Sequence, residues 1–122
     1  MLEISDLIGK PFKELPCWEL VKEYYRRAGV RLPDYYVLDR HKLDDNYHFN
    51  ASGGYTSVKE PTEGCVCVYS LNGRDLDHVG IYLGANQLLH STLLSGVCIE
   101  KYSKYVPRLK GVYRYDPCNS NH

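Results

Sequence analysis

An α+β fold is expected: one N-terminal helix packed on an antiparallel sheet of about five strands. Two observations lead there. A single stretch, from Cys17 to Ala28, carries apolar residues at helical spacing. After Pro61 the pattern changes to short alternating runs separated by turn residues, the layout of a β-meander. A chain of 122 residues accommodates one hydrophobic core, so residues 1–122 are read as one domain.

Taken in order, Ile4 to Ile8 reads as a helical turn or two, with Ser5 placed to cap and Gly9 to stop it. In the main helix, Leu20, Val21, Tyr24, Tyr25 and Ala28 fall on one side, and Lys22, Glu23, Arg26 and Arg27 on the other. Gly29 suits the end of this helix, and Arg26 and Arg27 complement the negative end of its dipole. The span from Pro33 to Pro61 is polar and poorly patterned, an excursion with one short helix near Tyr35 to Leu43. Strands are then expected at Cys65–Tyr69, His78–Leu83, Gln87–Ser91, Val97–Tyr102 and Gly111–Tyr115, with turns at Asn72-Gly73, Gly84–Asn86 and Ser95-Gly96. In the second of these strands Val79, Ile81 and Leu83 share one face, and His78, Gly80 and Tyr82 the other.

Charge narrows the function classes. Fifteen Lys and Arg balance fifteen Asp and Glu, so no net field draws the chain to nucleic acid or to an anionic membrane surface. No apolar run approaches the ~20 residues that span a bilayer, so membrane insertion is not expected. The N-terminal residues lack the basic and apolar regions of a signal peptide, and synthesis in the cytoplasm is expected. Twelve tyrosines against one tryptophan and two phenylalanines favour half-buried groove walls and contact surfaces. Five cysteines cannot all pair within the chain, and their spacing fits no zinc motif.

Three side chains stand out chemically. Cys17 opens the helix, where free N–H groups stabilise a thiolate and can donate to an oxyanion forming on a substrate carbonyl. The competing reading makes it a small core residue alongside Val21, Tyr24 and Ala28. His78 opens a strand and has Gly80 two residues along, which leaves room for another group to approach. If that face of the sheet turns toward the helix start, the imidazole reaches the thiol as general base. Pairing across the Gly84 turn brings His90 beside His78, where a second ring can orient the first. A metal site built from Cys65, Cys67, His78 and His90 is the weaker alternative, because Cys-x-Cys on one strand lacks a zinc-knuckle turn.

The runs GKPF, CWELVKEYYRRAGVRLPDY and DHVGIYLGANQLLHS resemble the NlpC/P60 cysteine peptidases, in particular the short forms among phage tail proteins. The resemblance extends from about Ile8 to Tyr115. It implies a papain-like fold with Cys17 as nucleophile, His78 as general base and acid, and His90 as the orienting third residue, with no cofactor and no metal. The implied substrate is the peptidoglycan stem peptide, and the implied setting is a virion tail tip, in contact with other tail-tip or tail-assembly proteins, where the protein helps open the cell wall. A structural tail protein with little activity on the same fold is the alternative. The sequence departs from the family around the cysteine, where Pro16 and Trp18 replace the usual Asp before and Ser after it, and at Cys65, which replaces an acid of a Pro-Gly-Asp signature. The Trp after the Cys resembles the phage-type members.

Overall fold

The structure is a computed structural model that describes residues 2–32, 54–74 and 76–115. The helix expected near Tyr35 to Leu43 lies outside the described residues. Helix α1 spans Cys17–Arg27. Among the described residues six strands follow: β1 Tyr55–Ser57, β2 Val66–Tyr69, β3 His78–Gly84, β4 Gln87–Thr92, β5 Gly96–Lys101 and β6 Leu109–Tyr115. A short helix α2, Tyr102–Tyr105, and a 3-10 turn, Val106–Arg108, link β5 to β6. The sheet has the order β1-β6-β2-β3-β4-β5, and every pairing is antiparallel.

Helix α1 starts and stops where the residue types dictate. Pro16 holds the N-cap in an extended conformation, and the missing Pro N–H costs nothing at a position that has no helical partner. At the other end Gly29 adopts φ +83° and the Val30 N–H reaches back to the Tyr25 carbonyl at 2.9 Å, closing the helix. Trp18, Leu20, Val21, Tyr24 and Tyr25 are buried and join Val66, Val68, Val79, Ile81, Leu89 and Val97 in the main core, which lies between helix and sheet. A second core covers the other face, where Cys65, Cys67, Tyr69, Leu88 and Val112 pack with Tyr82, Tyr102 and Tyr105. Several tyrosines therefore serve as wall material on the sheet face opposite α1.

The opening residues form turns rather than helix, with the Leu7 N–H on the Ile4 carbonyl at 2.9 Å. Two devices tie this segment down. Arg27 grips both Asp6 carboxylate oxygens at 2.6 and 2.8 Å. Gly9 and Lys10 exchange backbone hydrogen bonds with Val97, each 2.8 Å, covering the outer edge of β5 near its start. Strand β1 belongs to the stretch read from sequence as an irregular excursion. Three residues are too few to show a period of two, and β1 is held by tertiary contact: Tyr55 pairs with Tyr115 and its ring packs on those of Tyr113 and Tyr115. Among the described residues no helix is long and apolar enough to cross a membrane.

Candidate active site

The loop before β3 is preset by Asp77, whose carboxylate accepts from the Leu71 and Asn72 N–H groups at 2.7 and 3.2 Å. That clamp fixes where β3 begins, and so where His78 stands. In the register, His78 lies opposite Tyr69 on β2, and Gly80 lies between Cys67 on β2 and His90 on β4. A Cβ at position 80 would come within 2.9 Å of the Leu88 Cδ1 and 3.1 Å of the His90 Cβ, so the glycine gives up the space that His90 fills.

His78 and His90 are both buried, and they meet: His78 Nε2 lies 2.9 Å from His90 Nδ1, with the rings edge to face. The chain of contacts continues. His90 Nε2 sits 2.7 Å from Glu100 Oε2 on β5. Glu100 in turn accepts from the Tyr105 hydroxyl at 2.8 Å and from Lys104 Nζ at 2.6 Å. Burial pushes the Glu100 carboxyl up, but the hydrogen bonds from Lys104, Tyr105 and His90 outweigh it and hold the group at about 2. Glu100 is therefore an acceptor only, which makes His90 Nε2 the donor and leaves His90 Nδ1 with a lone pair. His78 Nε2–H must then donate to His90, and His78 Nδ1 is left as the free basic nitrogen.

Burial, helped by the neighbouring His90, drives His78 down to about 3. Burial lowers His90 as well, against the opposing pull of Glu100. Both rings are uncharged at neutral pH.

Cys17 is at the first position of α1, as the sequence indicated. Pairing of β3 with β4 begins only at Gly80 and His90, so the ladder on that side is open at Val79. The Cys17 thiol accepts a hydrogen bond from the Val79 backbone N–H, one residue from His78. The route differs from the one expected. Val79 and Ile81 belong to the core beneath α1, so the His78 face is turned away from the helix, not toward it. Cys17 packs against the helix-side core, and its link to the histidine strand is the N–H of Val79, the residue after His78. The thiol also differs electrostatically from expectation. Burial pushes it above its ordinary value, and the N–H groups of Val79, Trp18 and Cys17, which pull it down, do not compensate. In the resting state the thiol and the imidazole are each held uncharged by burial.

The family model for NlpC/P60 matches residues 8–112. The chain belongs to the NlpC/P60 family. Members of this family are generally cell-wall peptidases, and typically cysteine peptidases or amidases. Solved structures agree on the fold. An NlpC/P60 family protein from Bacillus cereus ATCC 10987 superposes with a TM-score of 0.59 at 18% identity over 83% of this chain and 32% of its own. NlpC2 from Trichomonas vaginalis gives 0.58 at 18% identity, covering 82% of this chain and 36% of its own. A protein described as similar to lipoprotein, NLP/P60 family, from Staphylococcus aureus subsp. aureus Mu50 gives 0.58 at 22%, covering 88% and 34%. The chain spans about a third of the length of each of these proteins. No curated protein matches the sequence.

Within this NlpC/P60 domain the sequence reading missed Glu100. Its signal was present but indirect: once the turn over Thr92–Ser95 sets His90 opposite Cys98, strand alternation puts Glu100 on the His90 face. The metal grouping of Cys65, Cys67, His78 and His90 is replaced by another. Among the described residues, the ligand atoms that converge are those of His90, Cys98 and Glu100.

Proposed function

We propose that the protein is a cysteine peptidase or amidase of peptidoglycan stem peptides, with Cys17 as nucleophile, His78 as base and acid, and His90 as the orienting residue. The observation that carries this reading is the contact between the Cys17 thiol and the Val79 N–H, at the strand end where His78 stands. His78 Nδ1 takes the thiol proton as sulfur attacks the substrate carbonyl, because a neutral pair has no preformed thiolate to offer. The proton then passes to the leaving amine, and water, deprotonated by the same nitrogen, releases the acyl group. Backbone N–H groups at the start of α1 face the developing oxyanion. His90, locked as an acceptor by Glu100, keeps the proton on His78 Nε2 and the lone pair on Nδ1.

Peptidoglycan as substrate follows from the family's general activity. The setting follows from the Trp18 variant of the cysteine motif, which resembles the phage-type members: a virion tail tip, in contact with other tail-tip or tail-assembly proteins, where the enzyme opens a path through the wall. Digestion of purified muropeptides by the wild-type protein and by Cys17→Ala, read by mass spectrometry, tests the chemistry. New peptide ends from the wild type alone are expected, and identical products from both proteins remove the mechanism. Mass spectrometry of purified phage particles tests the setting, which their lack of this chain would overturn.

A further inference from the structure

The β4–β5 ladder sets Cys98 directly across from His90, with Glu100 two residues along the same face. One ligand atom from each residue lies within 4.8 Å of the others. The focus is Glu100 Oε2, which is 2.7 Å from His90 Nε2 and 3.8 Å from Cys98 Sγ. His90 is wholly buried and fixed by His78, whereas Cys98 and Glu100 are half-buried and within reach of solvent. A rigid imidazole, a thiol and a carboxylate, with one side open to water, match the donor set of a zinc-class ion and not that of calcium or magnesium.

We propose that His90, Cys98 and Glu100 form a regulatory site for a zinc-class divalent cation, whose binding switches His78 into the wrong tautomer for catalysis. Lys104, which is mostly exposed, leaves Glu100 for solvent as the ion arrives, and with the proton lost by Cys98 this removes two positive charges for the two that the ion brings. Cys98 binds as thiolate and releases its proton to solvent. His90 must offer the Nε2 lone pair to the ion, so its single proton moves to Nδ1. His90 Nδ1–H then donates to His78 Nε2, and the His78 proton moves from Nε2 to Nδ1. Each ring keeps one proton throughout. The nitrogen left to receive the thiol proton is now occupied, and attack by Cys17 stops. The binding half of the proposal stands on ligand geometry alone, while the inhibitory half rests on the peptidase reading.

The test uses the full chain carrying Cys17→Ala, so that metal cannot bind at the catalytic thiol. Titration with cobalt(II) is expected to give one equivalent of binding with a thiolate-to-cobalt absorption band, and zinc is expected to displace it. Cys98→Ser is expected to abolish the band, and Glu100→Gln to weaken binding by at least about tenfold. Absence of the band in the Cys17→Ala protein, or its survival in a folded Cys98→Ser variant, overturns the site. Zinc-loaded protein is expected to show the His78 proton on Nδ1 by nitrogen-15 NMR, and an unchanged tautomer overturns the switch. Equal zinc inhibition of muropeptide hydrolysis in wild type and Cys98→Ser overturns it too, since inhibition would then arise at Cys17. A protein that binds cobalt as described but cleaves no muropeptide sinks the peptidase reading and leaves the metal site standing.

Discussion

His78 donates its Nε2–H to His90 Nδ1 across 2.9 Å, and the direction of that bond is decided elsewhere, by a carboxylate on the next strand. The relay means that the chemistry proposed for His78 depends on a residue that does not touch it.

Glu100→Gln tests this dependence. The amide is nearly the same size but can donate, so it no longer forces the proton onto His90 Nε2. Loss of a fixed tautomer removes part of the general-base contribution, which is worth about 10²–10⁴ in rate. We expect kcat on a muropeptide substrate to fall by about tenfold or more while KM changes little. Equal changes in kcat and KM, or no change in either, would show that Glu100 only packs the strand.

Acid should destabilise the fold through the histidine pair. The sign is set by burial: His78 is held down at about 3, against 6.5 ordinarily, so the unfolded chain binds the proton more readily. The stability from the uncharged ring is complete above pH 6.5 and is lost as pH falls from 6.5 toward 3. His90, also lowered, acts in the same direction. Urea midpoints measured from pH 7 to pH 5, above the ordinary titration of carboxylates, should decline with pH. His78→Gln should flatten that slope, and an unchanged slope would locate the acid sensitivity elsewhere.

Much of this was legible in the sequence because the physics was local. The α1 boundaries follow from Pro16 and Gly29 flanking a helical stripe, and five of the six strands follow from alternation between turn residues. The pairing of His78 with His90 followed from one tight turn, Gly84 to Asn86. What could not be read required knowing which face the helix covers. Alternation sorts His78 from Val79 but does not say which of them meets α1, and the structure gives Val79 to the helix. The thiol's electrostatics failed for a related reason. Helix-end N–H groups are a sequence feature, whereas the burial that outweighs them is a tertiary one. Glu100 was hidden behind two successive registers, and β1 behind its brevity.

Gly80→Ala should damage stability and site together. The new methyl would meet the Leu89 carbonyl oxygen at 3.0 Å as well as the Leu88 and His90 side chains, and the backbone oxygen cannot rotate away. Overpacking of this kind costs about 1–3 kcal/mol, so a lowered urea midpoint is expected. Displacement of His90 should also cut kcat, and a variant as stable and active as the wild type would show that this face has slack.

The Cys17 thiol should react as a buried, uncharged group. A cysteine peptidase with a standing thiolate–imidazolium pair alkylates rapidly at acid and neutral pH. Here the charged pair is disfavoured at both ends: burial raises Cys17, and burial together with His90 lowers His78 to about 3. Iodoacetamide labelling of Cys17, followed by peptide mass spectrometry from pH 5 to pH 10, should therefore rise with an apparent pKa above the ordinary thiol value, with no acid plateau. His78→Gln should slow labelling at neutral pH, where the ring takes the thiol proton, but leave the apparent pKa nearly unmoved, since a neutral ring contributes little field to a thiolate. A plateau below pH 7 that disappears in His78→Gln would mean that the ion pair forms in the resting protein, and the general-base step proposed for His78 would have to be replaced by attack from a preformed thiolate.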